Sequence, residues 1–353
     1  MSSQSVIITK TKQPIFVVGY MHSGTTLMRH LLGGHSAIYC GPRETNFFER
    51  FQLIRAQFGN LEDADTLAEY LRFTVELICG DANRIIWSRP TIEQLLADSG
   101  EVREHGALFF SVFDTLAAMD NKLVWLEKTP THVFHIDRLL TYRTNTRVVH
   151  IMRDVRDVIA SKKTRRATVN SDRYAEDVRA FKNLEKAYDP FWDTLSWKSA
   201  IRAGQASAAA QPDRVLSIRY EDLTFDPTHT MQRVCEFLAL PYEAQMLDVS
   251  FRNAAEWQQH SEAKITTQSV GRWRQILTPA EVNLCQRLAH TELAELNHAI
   301  EPISLGSQIA SIGLLGRSSI EVLRRLYRRW RMGGTRFAWN VLRGYVHRLK
   351  KLS

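Results

Sequence analysis

The feature that most constrains this chain begins at residue 15. Ile15-Phe16-Val17-Val18 is a short β-branched and aromatic run, the pattern of a parallel strand buried on both faces. Gly19-Tyr20-Met21-His22-Ser23-Gly24 follows as a glycine-bounded turn. Thr25 to Leu32 then reads as a helix ending at Gly33-Gly34. The alternation continues. Helical patterns recur at Thr66 to Ile78 and Ala107 to Met119. Leu123 to Leu126 reads as a strand, Thr131 to Leu140 as a helix, and Arg147 to Met152 as a strand entering a helix at Val155 to Lys162. A long helical region covers about Ser171 to Ala210, before a strand at Val215 to Ile218 and a helix at Thr228 to Leu238. Strands alternating with helices predict an α/β fold, a mostly parallel sheet with helices on both faces. With 353 residues, 44% hydrophobic and 24% charged, the composition excludes a disordered or fibrous chain.

The first turn fits the G-x-x-x-x-G-[K]-[ST] frame, with Thr25 where the lysine of a nucleotide-binding P-loop stands. The frame still makes sense as an anion cradle. Glycines let backbone N–H groups converge, the helix N-terminus adds partial positive charge, and Thr25 and Thr26 add hydroxyls. Lacking the lysine and a clear Mg²⁺-binding aspartate strand, it is a poor fit to a nucleotide kinase. The chemistry expected of it needs no metal.

From Val17 to Met28 the loop resembles the 5′-phosphosulfate loop of sulfotransferases that use 3′-phosphoadenosine 5′-phosphosulfate (PAPS), in particular the bacterial carbohydrate-type and tyrosylprotein sulfotransferases. The resemblance implies a P-loop NTPase-like fold. It makes Met21, His22, Ser23, Gly24, Thr25 and Thr26 cofactor-binding residues. His22 departs from it, standing where the family has Arg or Lys, so a permanent cation is replaced by one that titrates near neutrality.

A second strand-to-helix junction, Val148 to Ser161, carries Arg153-Asp154-Val155-Arg156-Asp157. Arg153 follows the strand's carboxyl end, where ligands of α/β sheets bind. The segment is similar to the family's 3′-phosphate motif, which implies that role for Arg153 and Ser161. Arg156 is expected to pair with Asp154 or Asp157. Glu127-Lys128-Thr129-Pro130 resembles an element of carbohydrate sulfotransferases. Arg219-Tyr220-Glu221-Asp222-Leu223 resembles a motif whose Tyr approaches the adenine, and Gly271-Arg272-Trp273 resembles the late loop that closes over the cofactor. The resemblance spans about residues 14–299 and implies one sulfotransferase domain there. Residues 300–353 are then a linker and a basic tail.

Sulfuryl transfer needs a base for the acceptor hydroxyl, in-line placement, and stabilisation of the leaving phosphate. Glu44, in Arg43-Glu44-Thr45-Asn46-Phe47-Phe48, resembles the family's catalytic Glu. Walls of Phe47 and Phe48 would desolvate it and improve it as a base. His132 is the alternative base. Lys128 and His22 are the cationic candidates. The acceptor reads as a carbohydrate or glycolipid hydroxyl. Peptidyl tyrosine and small molecules stay open, as does a noncatalytic nucleotide-binding or anion-binding protein held at a membrane. Trp192, Trp197 and Trp257 are candidates for stacking on an acceptor, against the competing reading that they are core.

The net charge of +8 is unevenly placed. Residues 317–353 hold 11 of the 46 basic side chains and one of the 38 acidic ones, so this segment carries +10 and the rest −2. Nucleic acid is therefore not expected to be the body's ligand. Ile320, Leu323, Tyr327 and Trp330 recur at helical spacing among arginines. Phe337, Val341, Tyr345 and Leu349 do so again. Residues 317–353 are thus expected to form basic amphipathic helices for an anionic membrane surface, with packing on the enzyme, or an acidic partner or nucleic acid, as the competing readings. The four cysteines form no C-x-x-C pair, residues 1–13 lack the apolar core of a signal peptide, and no run approaches the ~20 residues of a span. The expectation is a cytoplasmic protein, peripheral at the membrane's inner face.

Overall fold

The computed structural model describes residues 13–85, 89–98, 102–122, 124–168, 188–248 and 265–320, with positions 323, 324, 327 and 331. β1 (Gln13–Gly19), α1 (Thr25–Gly33) and β2 (Ile38–Cys40) open the fold. α2 (Phe51–Phe58), α3 (Ala64–Cys79), α4 (Arg89–Asp98) and α5 (His105–Met119) lead to β3 (Val124–Lys128). A 3₁₀ turn, Pro130–His135, enters α6 (Ile136–Tyr142), and β4 (Arg147–Met152) enters α7 (Val155–Thr168). Next come α8 (Pro190–Ala210), β5 (Val215–Arg219), α9 (Tyr220–Phe225) and α10 (Pro227–Phe237). After these come α11 (Trp273–Ile276), α12 (Pro279–Leu288), α13 (His290–Glu295) and a helix over 305–320.

The described residues fall into two compact units. One takes those up to Ile151, those from Gly204 to Asp248, and Ile265; the other takes Met152 to Ala203 and those from Thr266 onward. The first unit is built on a sheet of order β2-β3-β1-β4-β5. β1 lies parallel to β3 and β4, and β2 parallel to β3. All seven residues of β1 are buried, as a strand covered on both sides requires. Ile15 and Val17 join Leu27, Met28 and Leu31 of α1 in one core; Phe16 points the other way, into an aromatic cluster with Phe110 and Trp125. The chain passes from β1 to β2 and β3 on one side, then to β4 and β5 on the other. That reversal makes the carboxyl end of β1 the place where an α/β sheet opens a crevice.

The expected alternation is present, with additions. β2, α2, α4 and α9 are short or weakly patterned and were not expected. The helix expected over 131–140 splits at Ile136. Thr129 is extended and Pro130 starts a tighter turn, which returns the His132 ring to Glu127. The expected region Ser171 to Ala210 is helical from Pro190; residues 169–187 lie outside the described residues, as does Trp257.

In the second unit, Asp154 receives the Arg156 guanidinium through two nitrogens, at 3.0 and 2.7 Å, the structural pairing expected of Arg156. Arg156 also donates to Gln286 and to the carbonyl of Ala299, both at 2.8 Å. A capping box of Thr278 and Glu281, with Pro279 at the first turn, starts α12.

Candidate functional site

In the first unit the candidate residues sit at the carboxyl ends of successive strands. Gly19 to Gly24 follows β1, Gly41 to Glu44 follows β2, Lys128 ends β3, and Tyr220 follows β5. Register sets Lys128 directly beside Val17, two residues before the loop. In the loop, Ser23 N–H donates to the Tyr20 carbonyl at 3.1 Å. His22 (φ 66°) and Gly24 (φ 98°) both adopt left-handed backbone. Histidine tolerates this better than most side chains, while Gly24 has a second reason to be glycine. A Cβ there would lie 2.2 Å from the Tyr220 ring. Tyr220 is therefore a floor beneath the loop, not only the adenine neighbour that the resemblance implies.

The loop suits an anionic group. Ser23 is wholly buried, and its Oγ has no hydrogen-bond partner among the described residues. An orphaned buried hydroxyl is costly unless something binds it. No side chain caps α1 and no acid stands in its first turn, so the dipole and N–H groups of Thr25 and Thr26 favour an anion. Met21 is exposed and His22 half-buried beside it.

Lys128 is buried and reaches in two directions. Its Nζ is 3.4 Å from Thr26 Oγ1 and forms an ion pair with Glu44 Oε1. One ammonium thus links the anion loop to the candidate base. The Glu44 side chain is 46% exposed. The expected desolvation by Phe47 and Phe48 is a correction. Both rings turn inward, Phe47 stacking on Phe109 at 4.2 Å and Phe48 lying 6.1 Å from Phe51. They anchor the segment, and Glu44 faces Lys128.

Beneath this pair lies a buried network that the sequence reading missed. Glu127, fully buried in β3, accepts from Thr45 Oγ1 at 2.9 Å, Thr129 Oγ1 at 2.6 Å and His132 Nδ1 at 3.0 Å. His132 Nε2 lies 3.2 Å from Glu49. Burial alone would push the His132 pKa down. The charges and hydrogen bonds of Glu127 and Glu49 overcome it and raise it to about 9. The ring is wholly buried, with Nδ1 towards Glu127 and Nε2 towards both Glu49 and the Phe48 N–H, surroundings that suit holding this network in place better than meeting an acceptor hydroxyl. A signal existed in the sequence: a carboxylate inside an otherwise apolar strand needs partners, and Thr129 and His132 follow it directly.

In the second unit, Arg153 is buried and donates to the Ser269 carbonyl at 2.6 Å, and Ser161 is half-buried on α7. Asp157 accepts the N–H of Gly271 at 2.8 Å and of Trp273 at 3.0 Å, pinning the Gly-Arg-Trp turn to the start of α7. Burial raises the Asp157 pKa to about 6 against the opposing charge of Arg153. Gly271 takes left-handed backbone (φ 72°) and Arg272 is half-buried. Trp273 is buried between two guanidiniums, Arg156 at 4.3 Å and Arg274 at 4.4 Å, so it anchors the turn. Trp197 is core, donating to the Arg153 carbonyl at 2.9 Å; Trp192 is half-buried against Phe191. No cluster of three or more His, Cys, Asp or Glu poised to hold a metal occurs among the described residues.

The chain is 24% identical over 240 residues to protein-tyrosine sulfotransferase A of Caenorhabditis elegans, covering 67% of this chain and 53% of that one. It is 29% identical over 105 residues to a flavonol sulfotransferase-like protein of Flaveria bidentis, covering 28% of this chain. The matched stretch spans only about a third of that plant relative, 32% of its length. Among solved structures, the sulfotransferase domain of the Synechococcus PCC 7002 olefin synthase aligns over 80% of this chain and 96% of its own, at 16% identity and a TM-score of 0.48. A model of the sulfotransferase family matches residues 14–244. That span is well over half of the sequence and contains the anion loop, Glu44, Lys128, Arg153 and Tyr220, so the chain belongs to the sulfotransferase family.

Proposed function

We propose that this protein moves the sulfuryl group of PAPS to an acceptor hydroxyl of a carbohydrate or glycolipid. The observation that carries the reading is the continuous line Glu44–Lys128–Thr26, a carboxylate joined through one buried ammonium to an uncapped helix N-terminus. PAPS supplies, when bound, a sulfuryl group on a phosphate leaving group. Glu44 takes the acceptor's hydroxyl proton. Lys128 carries positive charge between the proton acceptor and the anion loop, where negative charge must be balanced. His22 adds charge when protonated. Ser23, Gly24, Thr25 and Thr26 hold the 5′ side, with Met21 at the rim. Arg153 and Ser161 take the 3′-phosphate, Tyr220 lies by the adenine, and Gly271, Arg272 and Trp273 form the covering turn.

The Glu-Lys-Thr-Pro element at residues 127–130 and Glu44 support a sugar acceptor. A second reading, peptidyl tyrosine, is favoured by the similarity to the nematode tyrosine enzyme across two-thirds of this chain. The protein reads as cytoplasmic, with residues 317–353 meeting an anionic membrane surface. Incubation with labelled PAPS and separate panels of glycans, glycolipids, phenols and tyrosine peptides tests the assignment. Label in a glycan or glycolipid is expected. Label confined to peptides or phenols would replace the acceptor, and none in any panel, with nucleotide still bound, would favour a noncatalytic binder.

A further inference from the structure

The helix over 305–320 is turned inside out relative to ordinary surface helices. Two of its serines face the protein. Ser311 Oγ accepts from Asn283 Nδ2 at 2.8 Å, and Ser318 Oγ donates to Asp189 at 2.8 Å; both serines are buried. Four of its large apolar residues face outward, while Leu314 and Leu315 are half-buried. Leu305, Ile309, Ile312 and Ile320 are between 51% and 72% exposed, as are Leu323 and Tyr327, which are also helical and extend the three-and-four spacing. At about 100° per residue, the outward set within 305–320 and the buried serines lie roughly 150° apart around the helix. Six of the thirteen large apolar side chains exposed among the described residues fall on this one stretch. Scattered exposed hydrophobes need no explanation, but a line of them opposite a polar docking face marks an interaction surface.

We propose that this outward face, made by Leu305, Ile309, Ile312, Ile320, Leu323 and Tyr327, inserts into an anionic lipid bilayer. The inference rests on the reading of the tail as membrane-directed. It moves the contact upstream of residue 317 and assigns its apolar part to specific side chains. Charge selects the occupant. Arg317, Arg324 and Arg331 are exposed along the same stretch, and residues 317–353 carry +10. A second copy would bring the same arginines against these, whereas an anionic leaflet complements them, each cation raising partitioning about fivefold. The aliphatic side chains then have an acyl boundary to enter. No helix among the described residues is long and apolar enough to cross a membrane, so the geometry is one of lying on it.

The test uses the full chain and sedimentation with vesicles of phosphatidylcholine alone or with about one-third phosphatidylserine. Wild type is expected to bind only the anionic vesicles, and Ile309→Ser/Ile312→Ser/Leu323→Ser to bind them at least tenfold more weakly with an unchanged unfolding temperature. An Ile312→Trp variant is expected to shift its fluorescence to the blue on the same vesicles. Equal binding by the triple variant, or no blue shift, would overturn insertion while leaving an electrostatic tail contact standing. No binding by wild type would remove both. A wild-type dimer that the triple variant converts to monomer, without a lipid effect, would assign the face to a second copy and overturn the proposal.

Discussion

Residue by residue, the chain builds its site from charges held in fixed relations, and two histidines show how differently one side chain type is used. His22 stands half-buried at the mouth of the anion loop, in left-handed backbone, where the resemblance to PAPS-dependent sulfotransferases implies Arg or Lys. Its imidazole supplies charge only when protonated. Turnover should therefore fall on the alkaline side as His22 loses its proton, and His22→Arg should flatten that limb in a pH profile of kcat. An unchanged alkaline limb in the variant would remove His22 from the charge balance. His132 is the structural counterpart. Its folded pKa of about 9 lies above the ordinary value, so the stability it contributes is complete below about pH 6.5 and lost as pH rises through 9. By linkage the contribution is about 3 kcal/mol. His132→Gln should cost about that much in urea unfolding at pH 6, and the gap from wild type should close towards pH 9. A pH-independent gap would show that packing alone was lost. Motif residues were legible because their chemistry is local. The distant members of the buried network were not, because Thr45 is brought to Glu127, and Glu49 to His132, by the fold across more than 75 residues.

At the scale of elements, what positions the loop is its support from the start of α9, far along the chain. The β1–α1 turn was readable from glycine spacing alone. That Gly24 must also clear the Tyr220 ring was not, since α9 is too short to be seen as a helix and its contact is distant in sequence. Gly24→Ala combines left-handed backbone strain of about 1–2 kcal/mol with a clash of similar size. The variant is expected to lose about 2–4 kcal/mol in thermal or urea unfolding. Adding Tyr220→Ala should recover the clash and leave the strain, giving clear non-additivity in a double-mutant cycle. Simple additivity would mean that the ring does not support the loop. The strands themselves were legible from continuous apolar runs. β2 was missed because three residues carry no periodicity, and the split before α6 because a Pro-led 3₁₀ turn still shows helical spacing.

For the whole molecule, the +8 charge separates into parts with different work. The body is near neutral and uses single cations such as Lys128 and Arg153, each in a defined hydrogen bond. The tail is a field of arginines, and the outward apolar face before it was not visible in the sequence. Periodicity gives the width of an apolar stripe but not which side meets the protein. Here Ser311 and Ser318 decide that by bonding Asn283 and Asp189.

The central claim is that Glu44 serves as the proton acceptor beside a loop that binds nucleotide independently of it. Glu44→Gln keeps the side chain's size and removes its basicity. With labelled PAPS and any competent acceptor, kcat should fall by about 10²–10⁴ while affinity for the desulfated nucleotide changes by no more than about twofold. An unimpaired kcat, or a parallel loss of nucleotide binding, would contradict the account.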